Sequence, residues 1–431
     1  MTYFGTDGIR KNAEFFTADF LKKFARAIIK VFGKGEYILA RDTRVSGEEI
    51  EHTLALCLNE AGASATVLGI TPTPVLAHYA RTHAAQAGIM ISASHNPPQD
   101  NGLKVFDGEG YKISSAVEEQ IESYFDSSVD KAEPRGRTVY KTDANREYMD
   151  YLTDKLSPSL GGISVALDTA NGATAVVAGQ LFNSLGCKVF IINDDTSGHN
   201  INKDCGAIYP EALERFMDSI NAQLGFSFDG DGDRVVCRIG KVTLNGDHVL
   251  QILGEELNSA GMLANNEIVG TVMSNMGLER ALAAKGINLR RVAVGDKNVL
   301  EYMKSKGCVL GGEQSGHIII TLYENTGDGL LTALMITKLY CEGKINFDNL
   351  FKDCPQILTS VRLPEGCKVK IEASDLISPA EAARQKVNVV IRKSGTEPIV
   401  RVMVQGESEE TVARLSEELT KKTKELVWKE K

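Results

Sequence analysis

The sequence predicts an α/β protein made of three related α/β modules followed by a smaller C-terminal α+β domain. Three observations carry this expectation. Strand-like and helix-like segments alternate through most of the 431 residues, the pattern of sheets layered with helices. A strand–turn–helix–strand order recurs, twice with an Asp-Thr pair in the turn, at Asp42-Thr43 and Asp168-Thr169. Near the end the alternation stops, and two apolar strands flank a polar loop before a closing helix.

The elements follow in order. Phe20, Phe24, Ala27, Ile28 and Val31 recur at helical spacing after Thr17, a suitable N-cap. The apolar strand Tyr37-Ile38-Leu39-Ala40 runs into the polar turn Arg41-Asp42-Thr43-Arg44, then a helix over about 47–61 and a strand over 64–68. A second copy starts with the strand 163–167, turns at 168–172, and returns at 188–192 after a helix. A third starts at 267–272, turns at Ser274-Asn275 and returns at 289–294. This order is common in any α/β protein; the repeated Asp-Thr turn is what argues for repetition. In the last domain, strands 387–391 and 399–404 precede a helix whose apolar face is Val412, Leu415, Leu419 and Leu426. The expected domains are 1–147, 148–240, 241–352 and 353–431, with linkers near 143–150, 240–245 and 352–355.

Composition narrows the function classes. An apolar share of 43% and a charged share of 24% suit a soluble globular chain, too long for one core. A net charge of −9 argues against nucleic acid as a partner. Eight cysteines without a C-x-x-C pair suggest neither a zinc site nor a disulfide framework. No apolar run approaches the ~18 residues of a membrane span, and the start of the chain does not read as a signal peptide. A cytoplasmic location with no membrane partner is the expectation.

The chemistry concentrates in Asp229-Gly230-Asp231-Gly232-Asp233-Arg234, after the apolar run 224–228. Three alternating carboxylates repel one another, and a hard divalent cation with oxygen ligands relieves the repulsion. One or two aspartates would fit a solvated turn; three favour a metal. Arg234 and Gly240 at the sixth and twelfth positions argue against an EF-hand. Arg234 beside the triad suits an anionic partner such as phosphate.

Four further polar loops stand out. The apolar run 88–93 ends in Ser94-His95-Asn96-Pro97, which places Ser94 exposed at a strand end as a nucleophile or as an ordinary turn serine. Lys104 lies nearby as an acid/base or charge partner, or as a surface lysine. Gly312-Glu313-Gln314-Ser315-Gly316-His317 combines groups that suit sugar hydroxyls or a surface turn. Arg392-Lys393-Ser394-Gly395-Thr396-Glu397-Pro398 offers charge and backbone N–H groups to a phosphate, with Arg401 on the returning strand; a hairpin with ordinary surface charge is the alternative. Thr6-Asp7-Gly8-Ile9-Arg10 alone is only a polar turn. P-loop and dinucleotide-binding glycine motifs are missing.

Taken together, the loops resemble the α-D-phosphohexomutase superfamily over nearly the whole chain, and most of all its bacterial glucosamine-phosphate subgroup. The resemblance rests on residues 4–10, 91–97, 229–234, 312–317 and 392–398, in that order. It implies four domains around a central cleft, each giving one loop. It implies a phosphoserine at Ser94, and Mg²⁺ held by Asp229, Asp231, Asp233 and a phosphoserine oxygen. Glu313 and Ser315 would contact sugar hydroxyls. Arg392, Ser394, Gly395 and Thr396 would hold the substrate's non-reacting phosphate, with Arg401 in reach. Arg10, His95, Lys104, Arg234 and His317 would line the reaction site.

The implied reaction interconverts glucosamine 6-phosphate and glucosamine 1-phosphate through a sugar 1,6-bisphosphate, feeding UDP-N-acetylglucosamine synthesis. The implied partner is a sugar phosphate, and a homodimer is left open. Lys11, Lys297 and Lys393 depart from the subgroup's usual Gly, Arg and Pro. A mannose- or glucose-phosphate mutase, a sugar-phosphate phosphatase and a non-catalytic sugar-phosphate sensor are the alternatives.

Overall fold

A computed structural model describes residues 3–5, 7–126, 136–157, 159–364, 371–394 and 398–429. Three of its sheets repeat one plan. In the first, the strand Glu36–Arg41 pairs in parallel with Ser64–Ile70 on one side and Ala87–Ile91 on the other, and Ala87–Ile91 pairs antiparallel with Asp100–Asp107. In the second, Ser164–Asp168 lies between Lys188–Ile192 and Leu224–Phe228, and Leu224–Phe228 turns back into Val235–Ile239. In the third, Glu267–Thr271 lies between Asn288–Val292 and Leu310–Gly312, and the latter turns back into Ile318–Ile320. Each sheet therefore presents one tight reversal, at 92–99, 229–234 and 313–317. The fourth sheet is antiparallel, with Ile399–Gly406 between Gln356–Arg362 and Val387–Lys393. Three related modules and a smaller final domain are as expected.

The helices form where apolar spacing and caps agree. The helix Ala18–Phe32 starts at Thr17, whose side chain accepts from the Phe20 N–H, and buries Phe20, Leu21, Phe24, Ala27 and Ile28. Phe24 and Ile28 are wholly buried; each such side chain stabilises by about 1.5–3 kcal/mol. The final helix Glu409–Lys429 buries Val412, Leu415 and Leu419 against the last sheet. The helix Gly329–Cys341 is mostly apolar and is buried on every side over Gly329–Thr337, as a helix inside a core must be. It packs against the second sheet, on Leu224–Phe228 and Val235–Ile239. One continuous core thus joins the first three modules.

The linker expectations need correction. Residues 144–150 are not a linker; they begin the helix Ala144–Leu156, which buries Ala144, Tyr148, Leu152 and Leu156 at four-residue spacing. Residues 240–245 include the strand Val242–Leu244, hydrogen-bonded to the second sheet. Residues 352–355 do lack regular structure, yet both main-chain polar groups of Cys354 bond the Asn275 side chain. The seven cysteines within the described residues are free; Cys367 lies outside them. Among the described residues, no helix is long and apolar enough to cross a membrane.

Candidate active site

The reversal after Ala87–Ile91 carries Ser94 in the left-handed region, at φ 52°. Side chains rarely adopt that conformation, and such outliers cluster at functional sites. Contrary to expectation, Ser94 is not exposed: its accessibility is 0%. The second module covers it. Ser94 Oγ donates to Asp229 Oδ2 at 2.7 Å and lies 3.3 Å from His95 Nδ1. A side chain on Gly230 would run into the Ser94 carbonyl, 2.6 Å away, so glycine lets the two loops meet.

Asp229, Asp231 and Asp233 are buried, with ligand oxygens within 4.8 Å of one another. Lys104 reaches them from the strand Asp100–Asp107, with Nζ 2.7 Å from Asp231 Oδ2 and 2.8 Å from Asp233 Oδ2. Burial alone would lower the Lys104 pKa, but Asp231 and Asp233 outweigh it and hold the ammonium protonated. Burial raises the Asp229 carboxyl well above the usual range, helped by Asp233 and Asp231. Burial also acts to raise Asp233, but Lys104, His317 and Arg234 together bring it below the usual range. Asp231 Oδ1 and Asp233 Oδ1 are buried without a hydrogen-bond partner. Orphaned carboxylate oxygens converging in one place fit a hard divalent cation, so the triad can hold a metal. Thr73 adds an unforeseen brace, its Oγ1 donating to Asp231 Oδ2.

The third reversal docks on the second. Arg234 and His317 form a backbone bridge, and the Val235 N–H donates to the Gly316 carbonyl at 3.1 Å. Glu313 Oε1 accepts from the Gly295 N–H at 3.0 Å, while Ser315 is exposed. His317 is buried, its Nδ1 without a partner and its Nε2 3.9 Å from Asp296 Oδ2. Arg10 holds Asp7 and donates to Asn96 Oδ1 at 3.2 Å. Asp7 also pairs with Lys112, which reaches Asp296. His95 stays neutral, because burial, then Arg234, pushes its pKa down to about 3.

Arg392 and Arg401 are cross-strand partners in the last sheet. Burial and then Arg401 lower the Arg392 pKa, and Glu313 acts in the opposite direction. Ser394 donates its N–H to the Ile399 carbonyl at 2.8 Å; Gly395 and Thr396 lie outside the described residues. Of the three lysine departures, Lys11 and Lys393 are exposed. Lys297 is buried and pairs with Glu118. A cavity of about 650 Å³ near Arg41, Glu51, Val67 and Tyr140 is lined by none of these site residues.

Four parts, three of them repeating one plan, with a buried serine facing an acidic triad, define the phosphohexomutases, a class of isomerases. Comparison with known proteins agrees. Phosphoglucomutase/phosphomannomutase alpha/beta/alpha domains I, II and III match residues 1–131, 146–241 and 245–358, and the C-terminal domain of that family matches 360–422. A phosphoglucosamine mutase of Clostridium perfringens is 39% identical, covering 97% of this chain and 98% of that one. A phosphoglucomutase/phosphomannomutase family protein of Burkholderia thailandensis shares the fold at TM-score 0.81 and 22% identity, covering 97% of this chain and 96% of that one. So does the Aspergillus fumigatus N-acetylphosphoglucosamine mutase in complex with GlcNAc-6P and magnesium, at TM-score 0.70 and 18% identity, over 98% and 95% of the two chains. The chain belongs to the phosphoglucomutase/phosphomannomutase family.

Proposed function

We propose that this enzyme interconverts glucosamine 6-phosphate and glucosamine 1-phosphate through a phosphoserine at Ser94 and a sugar 1,6-bisphosphate. The carrying observation is the hydrogen bond of Ser94 Oγ to Asp229 Oδ2 at 2.7 Å. It joins a strained serine to the one buried acidic triad among the described residues that could hold a metal. Glucosamine as the sugar rests on the 39% identical Clostridium perfringens phosphoglucosamine mutase. Four domains, 1–147, 148–240, 241–352 and 353–431, are proposed to enclose the cleft.

In the forward step, the bond between phosphorus and Ser94 Oγ breaks as one forms to the free sugar oxygen. The proton of that hydroxyl passes to a base. His317, with an unpartnered Nδ1, is suited to accept it. Lys104, held as an ammonium by Asp231 and Asp233, is suited to donate in the return step. Positioning and charge neutralisation dominate phosphoryl transfer. Asp229, Asp231 and Asp233, with a phosphoserine oxygen, would hold Mg²⁺, which when bound supplies a Lewis acid. Arg234 and Arg10 add positive charge beside the reacting phosphate. Glu313 and Ser315 receive the sugar hydroxyls. Arg392, Ser394, Gly395, Thr396 and Arg401 hold the other phosphate, whichever end of the bisphosphate it is.

A coupled assay comparing glucosamine, glucose and mannose phosphates tests this reading. Turnover should be fastest with glucosamine phosphate. Equal or faster turnover of glucose or mannose phosphate would overturn the sugar assignment, and release of inorganic phosphate without isomerisation would overturn the mutase.

A further inference from the structure

Behind Ser94 lies a buried network that the reaction scheme above does not use. Asp42, Arg44 and Ser92 each have an accessibility of 0%. All five donors of the Arg44 guanidinium are engaged. Nε donates to Asp42 Oδ2 at 2.9 Å, Nη1 to the carbonyls of Pro97 and Asp100, and Nη2 to those of Ser94 at 2.9 Å and Asn96 at 2.8 Å. Asn202, on the second module, donates its Nδ2 to the same two carbonyls, at 2.8 Å for Ser94 and 3.1 Å for Asn96. On the other side of the residue, the Ser94 N–H donates to Ser92 Oγ at 2.8 Å, and Ser92 Oγ donates to Asp42 Oδ2 at 2.6 Å.

Both main-chain groups of Ser94 are thus tied while φ stands at 52°. None of these bonds involves Oγ, so none need change when Oγ gains or loses a phosphoryl group. Two modules share the grip: Arg44 belongs to the first sheet's turn, and Asn202 reaches across from the second. A flexible lysine cannot reproduce the planar fork that serves four carbonyls at once.

We propose that Arg44 and Asn202 are positioning residues. They clamp the Ser94 carbonyl from two modules and keep Oγ at one place and angle in both the free and the phosphorylated enzyme. The inference rests on Ser94 being the phosphoryl carrier. It predicts a loss of rate without a loss of substrate affinity, because the side-chain hydrogen bonds of both residues go to Asp42 and to main-chain carbonyls within 94–100.

The test uses the full chain as wild type, Asn202→Ala and Arg44→Lys. Transfer from glucose 1,6-bisphosphate to dephosphorylated Ser94 is followed in a single turnover by intact mass. Steady-state kcat and KM and the melting temperature are measured alongside. Small misplacements of reacting groups cost up to about 100-fold, so kcat and the single-turnover rate of folded Asn202→Ala should fall about 10- to 100-fold, with KM within about threefold. Arg44→Lys should show the same split if it folds; if it does not, Asn202→Ala decides. A folded Asn202→Ala with kcat and transfer within about twofold of wild type, or with the whole loss in KM, would overturn the clamp. A wild-type enzyme that accepts no phosphoryl group on Ser94 would instead remove the reading beneath it, and the inference with it.

Discussion

Lys104 Nζ lies 2.7 Å from Asp231 Oδ2, so a strand of the first module neutralises the acidic loop of the second. Both side chains are buried, at 1% and 0% exposure. The ammonium also reaches Asp233 and stands 3.3 Å from Asp7. Any divalent cation on the triad shares these carboxylates with Lys104 or displaces it. Lysine and metal therefore draw on the same carboxylates, and each relieves part of their repulsion.

Lys104→Met tests that relationship. It leaves buried carboxylates short of a counter-charge, and breaking a buried pair in this way costs about 3–5 kcal/mol. The variant should melt well below wild type without metal. Adding Mg²⁺ should then raise its melting temperature by more than it raises that of wild type. Equal shifts in the two proteins would show that Lys104 and the cation do not compete.

Ser94→Ala separates chemistry from binding. Intact-mass and peptide analysis should find one phosphate on Ser94 in the active wild type and none in the variant. Mutase turnover should vanish, while affinity for the sugar phosphate stays within about tenfold, because under the proposed scheme the last domain's arginines would hold the other end. Full turnover in Ser94→Ala would end the phosphoserine mechanism. Asp231→Asn keeps the volume and removes one charge; it should cost several kcal/mol of transition-state stabilisation, the scale of a Lewis-acid contribution.

The loops were legible because their chemistry is local. Alternating Asp and Gly after an apolar run at 224–228, or Ser-His-Asn-Pro after 88–93, is visible in the chain itself. What surrounds them was not. Arg44 sits in a polar turn, and that signature is the same whether the side chain faces water or one carboxylate and four main-chain carbonyls. Ser94 reads as exposed because the covering residues, Asn202 and Asp229, come from another module. Residues 143–150 read as a linker because polar residues dominate there, although 144–150 begin the helix Ala144–Leu156. Its apolar stripe, Ala144, Tyr148, Leu152 and Leu156, gains meaning only from its partners in the fold, the helix Thr73–Thr82 among them.

Glu51 makes a pH prediction away from the active site. It is buried beside Arg41, with Oε2 3.3 Å from Nε. Burial pushes its pKa up to about 7, and Arg41 only partly offsets this. In the unfolded chain the carboxyl titrates near the ordinary value of about 4.3. Between those two values the unfolded chain has released its proton and the folded one has not. Stability therefore falls as pH rises through this window, by about 4 kcal/mol in all. Glu51→Gln removes the titration, so its melting temperature should drop less than wild type between about pH 5 and pH 8. Parallel profiles for the two proteins would refute the assignment.

Arg392 and Lys393 are neighbours on one strand with opposite expectations. Arg392 faces Arg401 across the ladder, and two guanidiniums side by side repel unless an anion joins them. Arg392→Ala should therefore weaken the 6-phosphate and the 1-phosphate sugar alike, by roughly 2–5 kcal/mol for a desolvated, hydrogen-bonded dianion. Lys393 is exposed and opposes Val400. The Ser394 N–H bonds the Ile399 carbonyl, and antiparallel pairs alternate, so 393 and 400 form a non-hydrogen-bonded pair. The Lys393 N–H points away from the ladder, on the outer side of an edge strand, where proline is tolerated. Lys393→Pro should thus leave affinity for both sugar phosphates within about threefold and change stability by no more than about 1 kcal/mol, with a small gain from lower unfolded-state entropy. Calorimetric titration of both sugars, with a melt on the same sample, checks this. A tenfold loss of affinity in a folded Lys393→Pro would mean that the lysine, or the backbone freedom at that position, serves the phosphate directly.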